Sequence, residues 1–419
     1  MNSRLGTLTT GAFALTLLAM AVLPSSAAEL ATSSYLAIID AGSSGTRLTL
    51  YQDDPATLVP REVTKVKTST QGLSSFTANP TNAGPDAVGP LLDQLDNYLA
   101  QQGIAKAEVP VALLATAGMR NVRRDDRMAA QAILDSTAAT IANSGHPVTD
   151  NRILPAVQEA TLAWLDSNVL AGTLAKKQGG ISIVEIGGAS AQVAFRSPVA
   201  KGPAVQQVQV DGQVIPVVAV SYLGLGLNDA RSLMQEANDA GSFCFPSKAG
   251  GQPPSTYVSS SERPVNASTA SFFWSRCSNA FADTITSVGA ERTAAASVPP
   301  SVLRSLPGFD LSSFVGLGSL PFTYGDLGIE SAGNEKTALR GVTTNSCTGT
   351  DAWPKVLSLY AGRSTTFADT ICSNGTYSYE LLFGATGVGV SPKRFTIDYS
   401  AFSRSPAWTS GFAITVLDK

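Results

Sequence analysis

The sequence predicts an α/β protein of two similarly built lobes, each presenting one glycine-rich hairpin tip. Three observations predict it. The chain has 419 residues, long for one domain and comfortable for two. Strand patterns alternate with helix patterns, the signature of α/β architecture. One stretch also repeats: residues 38–50 (IIDAGSSGTRLTL) can be laid over 183–195 (IVEIGGASAQVAF), 145 positions on. Each copy is an apolar β-rich run, an acidic residue, a small-residue turn and a second strand pattern, which reads as a β-hairpin.

Along the chain, the first segment reads as a leader. Arg4 supplies the positive start, residues 12–23 an apolar core, and Ser25-Ser26-Ala27-Ala28 the small residues of a cleavage site. Residues 1–28 are therefore expected to be removed on secretion or export to a periplasm. After the first hairpin, apolar spacing predicts helices over 86–99 and 127–142, with a buried strand over 109–114 between them. A further helix is predicted after Pro155 through Leu170, because Val157, Leu162, Leu165 and Val169 recur at helical intervals. The second hairpin follows. Residues 248–263, rich in Ser, Pro and Gly, predict a surface loop tethered by nearby cysteines, and no element is assigned over 279–305.

Composition narrows the function. With 29 basic against 32 acidic side chains, no basic stripe is offered to a nucleic acid. After residue 23 no apolar run approaches the roughly 20 residues of a spanning helix, so no stable membrane anchor is expected. The four cysteines, Cys244, Cys277, Cys347 and Cys372, permit three pairings. The sequential one closes two local loops and is preferred. The lone His146, before Pro147 in a polar turn, is expected at the surface, which argues against histidine-based catalysis. There is no GxxxxGK[ST] and no GxSxG.

The two tips carry the chemistry. Small-residue turns expose backbone N–H groups, and such concave amide arrays bind anions, phosphate above all. Ser43, Ser44 and Thr46 add hydroxyls, and Arg47 a positive charge. Asp40 and Glu185 close their first strands beside the tips, where carboxylates suit a hard divalent cation held directly or through water. Glu159, near the start of its helix, is the candidate general base; the competing reading is a dipole-stabilising surface glutamate.

These segments together resemble the ecto-nucleoside triphosphate diphosphohydrolase (apyrase) family, within the actin/Hsp70/sugar-kinase superfold. Five short family motifs occur here in order: Asp40-Ala41-Gly42-Ser43-Ser44-Gly45-Thr46-Arg47, Ala115-Thr116-Ala117-Gly118-Met119-Arg120, Glu159-Ala160-Thr161-Leu162-Ala163-Trp164, Glu185-Ile186-Gly187-Gly188-Ala189-Ser190-Ala191-Gln192, and Ser221-Tyr222-Leu223-Gly224-Leu225-Gly226-Leu227-Asn228. The first two are complete. The fourth departs from the family in opening with Glu185 where Asp is usual. The third reads Gln158-Glu159-Ala160 where Glu-Glu-Gly is usual.

The resemblance implies two RNase H-like (actin-like ATPase) lobes with the active site in the cleft between them. Residues 29–156 plus 399–419 would form the first lobe and 157–398 the second. It implies Glu159 as the base, with Ser190 and Gln192 holding the attacking water. Phosphate contacts would come from Ser43, Ser44, Gly45, Thr46, Arg47, Thr116, Ala117, Arg120, Gly187, Gly188 and Ala189. Asp40 and Glu185 would order the water shell of Mg²⁺ or Ca²⁺. Tyr324 is the candidate for stacking on the nucleobase, with a core tyrosine as the other reading; Trp164 and Trp408 read as packing residues. The implied activity is hydrolysis of nucleoside tri- and diphosphates to monophosphate. The alternatives are a narrower nucleoside diphosphatase, an exopolyphosphatase-like hydrolase, and a non-catalytic nucleotide-gated binding protein.

Overall fold

The computed structural model describes residues 34–417, apart from 68–70, 177–178, 249–255, 258–264, 267–268, 289–297 and 330–333. The leader expected over 1–28 lies outside the described residues, as does most of the loop expected over 248–263. The first sheet is built from β1 (Tyr35–Gly42), β2 (Gly45–Gln52), β3 (Arg61–Lys67), β4 (Val111–Ala115) and β5 (Val148–Ile153), in the order β3-β2-β1-β4-β5. The second contains β6 (Ile181–Ile186), β7 (Ser190–Arg196), β8 (Val205–Val210), β9 (Gln213–Leu223), β12 (Ser313–Gly318) and β13 (Phe395–Thr396), in the order β13-β12-β6-β7-β9-β8. A short ribbon pairs β10 (Thr256–Tyr257) with β11 (Val265–Asn266).

Each sheet has one plan. A hairpin strand at the centre, β1 or β6, pairs antiparallel with the next strand on one side. On its other side it pairs parallel with a later strand, β4 or β12. The repeat read from sequence is thus a repeat of topology, with β8 as an extra edge strand in the second sheet. Parallel pairing demands long crossovers, and helices fill them. In the first half these are α1 (Gly89–Gln102), α2 (Ala117–Asp125), α3 (Arg127–Asn143) and α4 (Ala156–Leu170). The second half holds α5 (Leu227–Ala237), α6 (Trp274–Ser287), α7 (Leu320–Asp326), α8 (Glu335–Cys347), α9 (Ala352–Leu359), α10 (Ile371–Phe383) and α11 (Trp408–Leu417). The expected helices over 127–142 and 156–170 match α3 and α4, the one over 86–99 overlaps α1 with a three-residue offset, and the strand expected over 109–114 overlaps β4.

The disulfides are Cys244–Cys277 and Cys347–Cys372, the sequential pairing. Trp164 and Trp408 are buried packing residues. His146 is a correction. It is buried, with Nδ1 2.9 Å from Val109 O and Nε2 2.9 Å from Asp96 Oδ1. The turn before Pro147 folds inward because Pro147 O accepts the N–H of Val111 in β4. Asn374, in an N-x-[ST] pattern, is buried in α10 and accepts from Arg231, so it offers no glycan acceptor in the folded chain.

One late segment reaches back to α4. Asp166 is fully buried and takes both Nη atoms of Arg404, at 2.7 and 2.8 Å, and the N–H of Ala407 at 2.8 Å. Gly411 lets α11 approach closely: a Cβ there would sit 2.0 Å from Leu162 O. Removing one member of a buried pair strands the other charge. Asp166→Ala is expected to lower unfolding free energy by about 3–5 kcal/mol, read from urea denaturation midpoints.

Candidate active site

The two tips are built alike. In the first, Gly42 pairs with Gly45 across a two-residue loop, Ser43-Ser44. In the second, Gly187 N–H donates to Ser190 O at 2.9 Å, leaving Gly188-Ala189 as the tip. The register also matches: Asp40 faces Arg47, and Glu185 faces Gln192.

The tips abut. A Cβ on Gly188 would lie 2.4 Å from Ser43 Oγ. Ser43 is crowded from two more sides, since a Cβ on Gly118 would be 2.9 Å from its Cα and one on Gly72 2.5 Å from its O. Absence of side chains at these three glycines is therefore what lets the backbones converge.

The amides of the second tip have a determined direction. Gly187 O accepts from Leu227 N, and Gly188 O accepts from Asn228 N and Asp229 N, all in the first turn of α5. In a trans peptide the C=O and N–H point opposite ways. The N–H groups of Gly188 and Ala189 therefore point away from α5, as anion binding requires. Thr116 caps the start of α2, its N–H donating to Ala41 O at 3.1 Å. Ala117 opens the helix beside it, and Gly45 closes the first hairpin.

Beside the tips lies a buried polar network. Glu159, in the first turn of α4, is 7 % exposed, and its Oε2 accepts from Arg120 Nη1 at 2.9 Å. Arg120 Nη2 donates to Ser190 Oγ at 3.0 Å, and Gln192 Nε2 donates to the same oxygen at 2.6 Å. Gln192 Nε2 also reaches Ser221 Oγ at 3.3 Å. Glu159 is thus no surface residue of a helix end, and it meets Ser190 and Gln192 in one cluster.

The carboxylates explain what a cation would do. Burial pushes the Glu185 carboxyl up to about 8, with the charges of Glu159 and Asp40 adding to the rise. Burial also raises Asp40, opposed by Arg47, whose Nη1 lies 3.2 Å away. Glu185 Oε2 and Gln192 Oε1 are buried acceptors with no hydrogen-bond partner. A divalent cation or its water shell fits that need, and like charges so placed favour one. Among the described residues, no group of three or more His, Cys, Asp or Glu side chains stands ready to ligate a metal directly. Asp40 and Glu185 fit a cation held through water.

Three expected site residues sit elsewhere than the motifs suggested. Thr46 is buried, its hydroxyl donating to Gln71 O at 3.4 Å. Arg120 turns to Glu159 and Ser190. Tyr324 is fully buried beside Phe395, with ring centroids 6.2 Å apart, and presents no face to a base. It is the core tyrosine. Phe322, the third residue of the same helix and two before Tyr324, is 74 % exposed. It was not distinguished in sequence because helix phase decides which ring faces out. Ser221 was also missed as a site residue, although it opens the fifth motif.

Asp229 joins α5 to α2, accepting from Asn121 Nδ2 at 3.0 Å. Burial raises its carboxyl to about 6. An acid raised on folding binds more protons folded than unfolded, so it subtracts stability as pH climbs from about 4 to 6. Asp229→Asn, which keeps an acceptor for Asn121, is expected to raise Tm at pH 7 and to lose that advantage by pH 4, as thermal unfolding at both pH values would show.

Comparisons with known proteins show the family and the fold. Over about 215 residues the chain is 31 % identical to a guanosine-diphosphatase of Schizosaccharomyces pombe, covering 48 % of this chain and 38 % of that protein. It is 30 % identical to a nucleoside-triphosphatase of Pisum sativum, covering 48 % and 47 %. The chain thus spans less than half the length of these relatives. The crystal structure of nucleoside triphosphate hydrolases from Neospora caninum shares the fold, with a TM-score of 0.61, 15 % identity and 92 % of both chains covered. The mixed α/β architecture with two sheets is that of the actin-like ATPase fold. With a match running over residues 27–419, the chain belongs to the GDA1/CD39 (nucleoside phosphatase) family.

Proposed function

We propose that this protein hydrolyses the terminal phosphates of nucleoside 5′-triphosphates and diphosphates, by in-line attack of a water activated by Glu159. The observation that carries the reading is the juxtaposition of two abutting glycine tips with a buried Glu159–Arg120–Ser190–Gln192 cluster. Amides of Gly188 and Ala189, with Ser43, Ser44, Gly45 and Thr116, would hold the phosphate chain. Glu159 takes the proton as the water oxygen bonds to phosphorus, and the bond to the bridging oxygen breaks. Positioning and charge neutralisation supply most of the barrier reduction in such displacements. A divalent cation, Mg²⁺ or Ca²⁺, held through water by Asp40 and Glu185, would neutralise developing phosphate charge.

We assign residues 29–156 with 399–419 to one lobe and 157–398 to the other. Phe322, exposed on α7 directly after the strand that pairs with β6, replaces Tyr324 as the candidate stacking ring. Two disulfides suit an oxidising compartment, in line with an exported protein. Among the described residues no helix is long and apolar enough to cross a membrane. The test is phosphate release from ATP, ADP, UTP, UDP and polyphosphate, with and without EDTA. Turnover of the nucleotides that EDTA abolishes supports the reading. Turnover of polyphosphate alone, or none with added cation, overturns it.

A further inference from the structure

We propose that Arg120 is a positioning residue, which holds Glu159 and Ser190 in mutual register and does not grip phosphate. The proposal rests on the hydrolytic reading above and names how its base is aimed. Arg120 is 4 % exposed. Its Nη1 donates to Glu159 Oε2 at 2.9 Å and to Leu154 O at 3.3 Å, and its Nη2 to Ser190 Oγ at 3.0 Å. The carbonyl contact ties the fork to the backbone just ahead of α4. The two side-chain contacts come from different elements, α4 and β7. A planar guanidinium sets the separation of two acceptors as a single point charge does not.

The arrangement also decides the direction of one hydrogen. A serine hydroxyl has two lone pairs and one proton. Ser190 Oγ accepts from Arg120 Nη2 and from Gln192 Nε2, at 3.0 and 2.6 Å. Both acceptor positions are then filled, and the hydroxyl is left to act as a donor. A water beside it meets a donor in Ser190 and an acceptor in the Glu159 carboxylate. Receiving one hydrogen bond and giving one, that water keeps a lone pair for phosphorus. Arg120 is the group common to both partners, so the polarity of the water site depends on it.

A misplacement of about 1 Å at a reacting group costs on the order of 10²-fold in rate. Steady-state kinetics of Arg120→Ala and Arg120→Lys are therefore expected to show kcat down by about 10²-fold with KM within about threefold. A phosphate ligand would behave oppositely, and a large rise in KM with kcat retained overturns the proposal. In a Glu159→Gln background, Arg120→Ala is expected to cost no more than about threefold further, because the two residues act as a unit. Full additive loss would count against it equally. If Arg120→Ala fails to fold, Arg120→Lys keeps the charge beside Glu159 and carries the test through its kcat and KM. The two readings fail separately. Full turnover by Glu159→Gln removes the hydrolytic mechanism itself, whereas an inactive Glu159→Gln beside an Arg120→Lys altered only in KM removes this proposal alone.

Discussion

Glu159→Gln is expected to bind nucleotide almost as the parent does and to release phosphate about 10²–10⁴-fold more slowly, the usual share of a positioned base. The amide keeps the size of the carboxylate and still offers Arg120 an acceptor oxygen, so the buried cluster should persist. What is lost is the ability to take a proton from water. Because Glu159 lies in the first turn of α4 and is 7 % exposed, loss of one charge there should change Tm, and circular dichroism would establish that the fold survives. Single-turnover phosphate release alongside equilibrium binding separates the two effects. A clean variant with parental turnover would remove the proposed mechanism.

Gly226→Ala is expected to lower kcat/KM by about 10²-fold or more while touching no reacting atom. Gly226 has φ −74° and ψ 161°, a conformation open to any residue. Its constraint is space alone. A Cβ would sit 2.2 Å from Ala189 N, 2.3 Å from Gly188 C and 2.4 Å from Ala189 C. All three are backbone atoms of the second tip, so nothing flexible can yield. The tip would move off the first turn of α5 and turn its amides away from the phosphate path. Overpacking of this kind costs about 1–3 kcal/mol. Gly341→Ala, where a Cβ meets nothing within 4 Å, is the control and should leave turnover and fold intact. A Gly226→Ala protein with parental kinetics would show that the tip amides do not set the rate.

Much of the fold was legible because it is local. An apolar β-rich run ending in an acidic residue, followed by a small-residue turn, specifies each hairpin, and the repeated pattern announced a repeated topology. The i, i+3, i+4 spacing in 156–170 gave α4 at its observed bounds. The site was legible where a motif fixes backbone, as at Ser43-Ser44 and Gly188-Ala189. It was less so where direction matters. Arg120 belongs to a motif expected beside phosphate, yet its place on α2 points it at Glu159, and no spacing in the sequence states that angle. Tyr324 and Phe322 differ only in helix phase, and α7 is too short to show its own periodicity. His146 looked exposed because its neighbours are polar. Its partners, Asp96 and Val109, are brought in by tertiary packing from well upstream.

The clasp between Asp166 and the Arg404–Ala407 turn ties α4, which carries Glu159, to a stretch 238 residues further along the chain. Until that stretch emerges and docks, α4 lacks the cation that neutralises its buried aspartate, so the helix bearing the proposed base stays loosely held. The proposed activity should therefore appear only once the stretch around residue 404 has been made and has docked on α4. Nicks or fusions near residue 404 should then silence it, although they lie far from Glu159 in sequence.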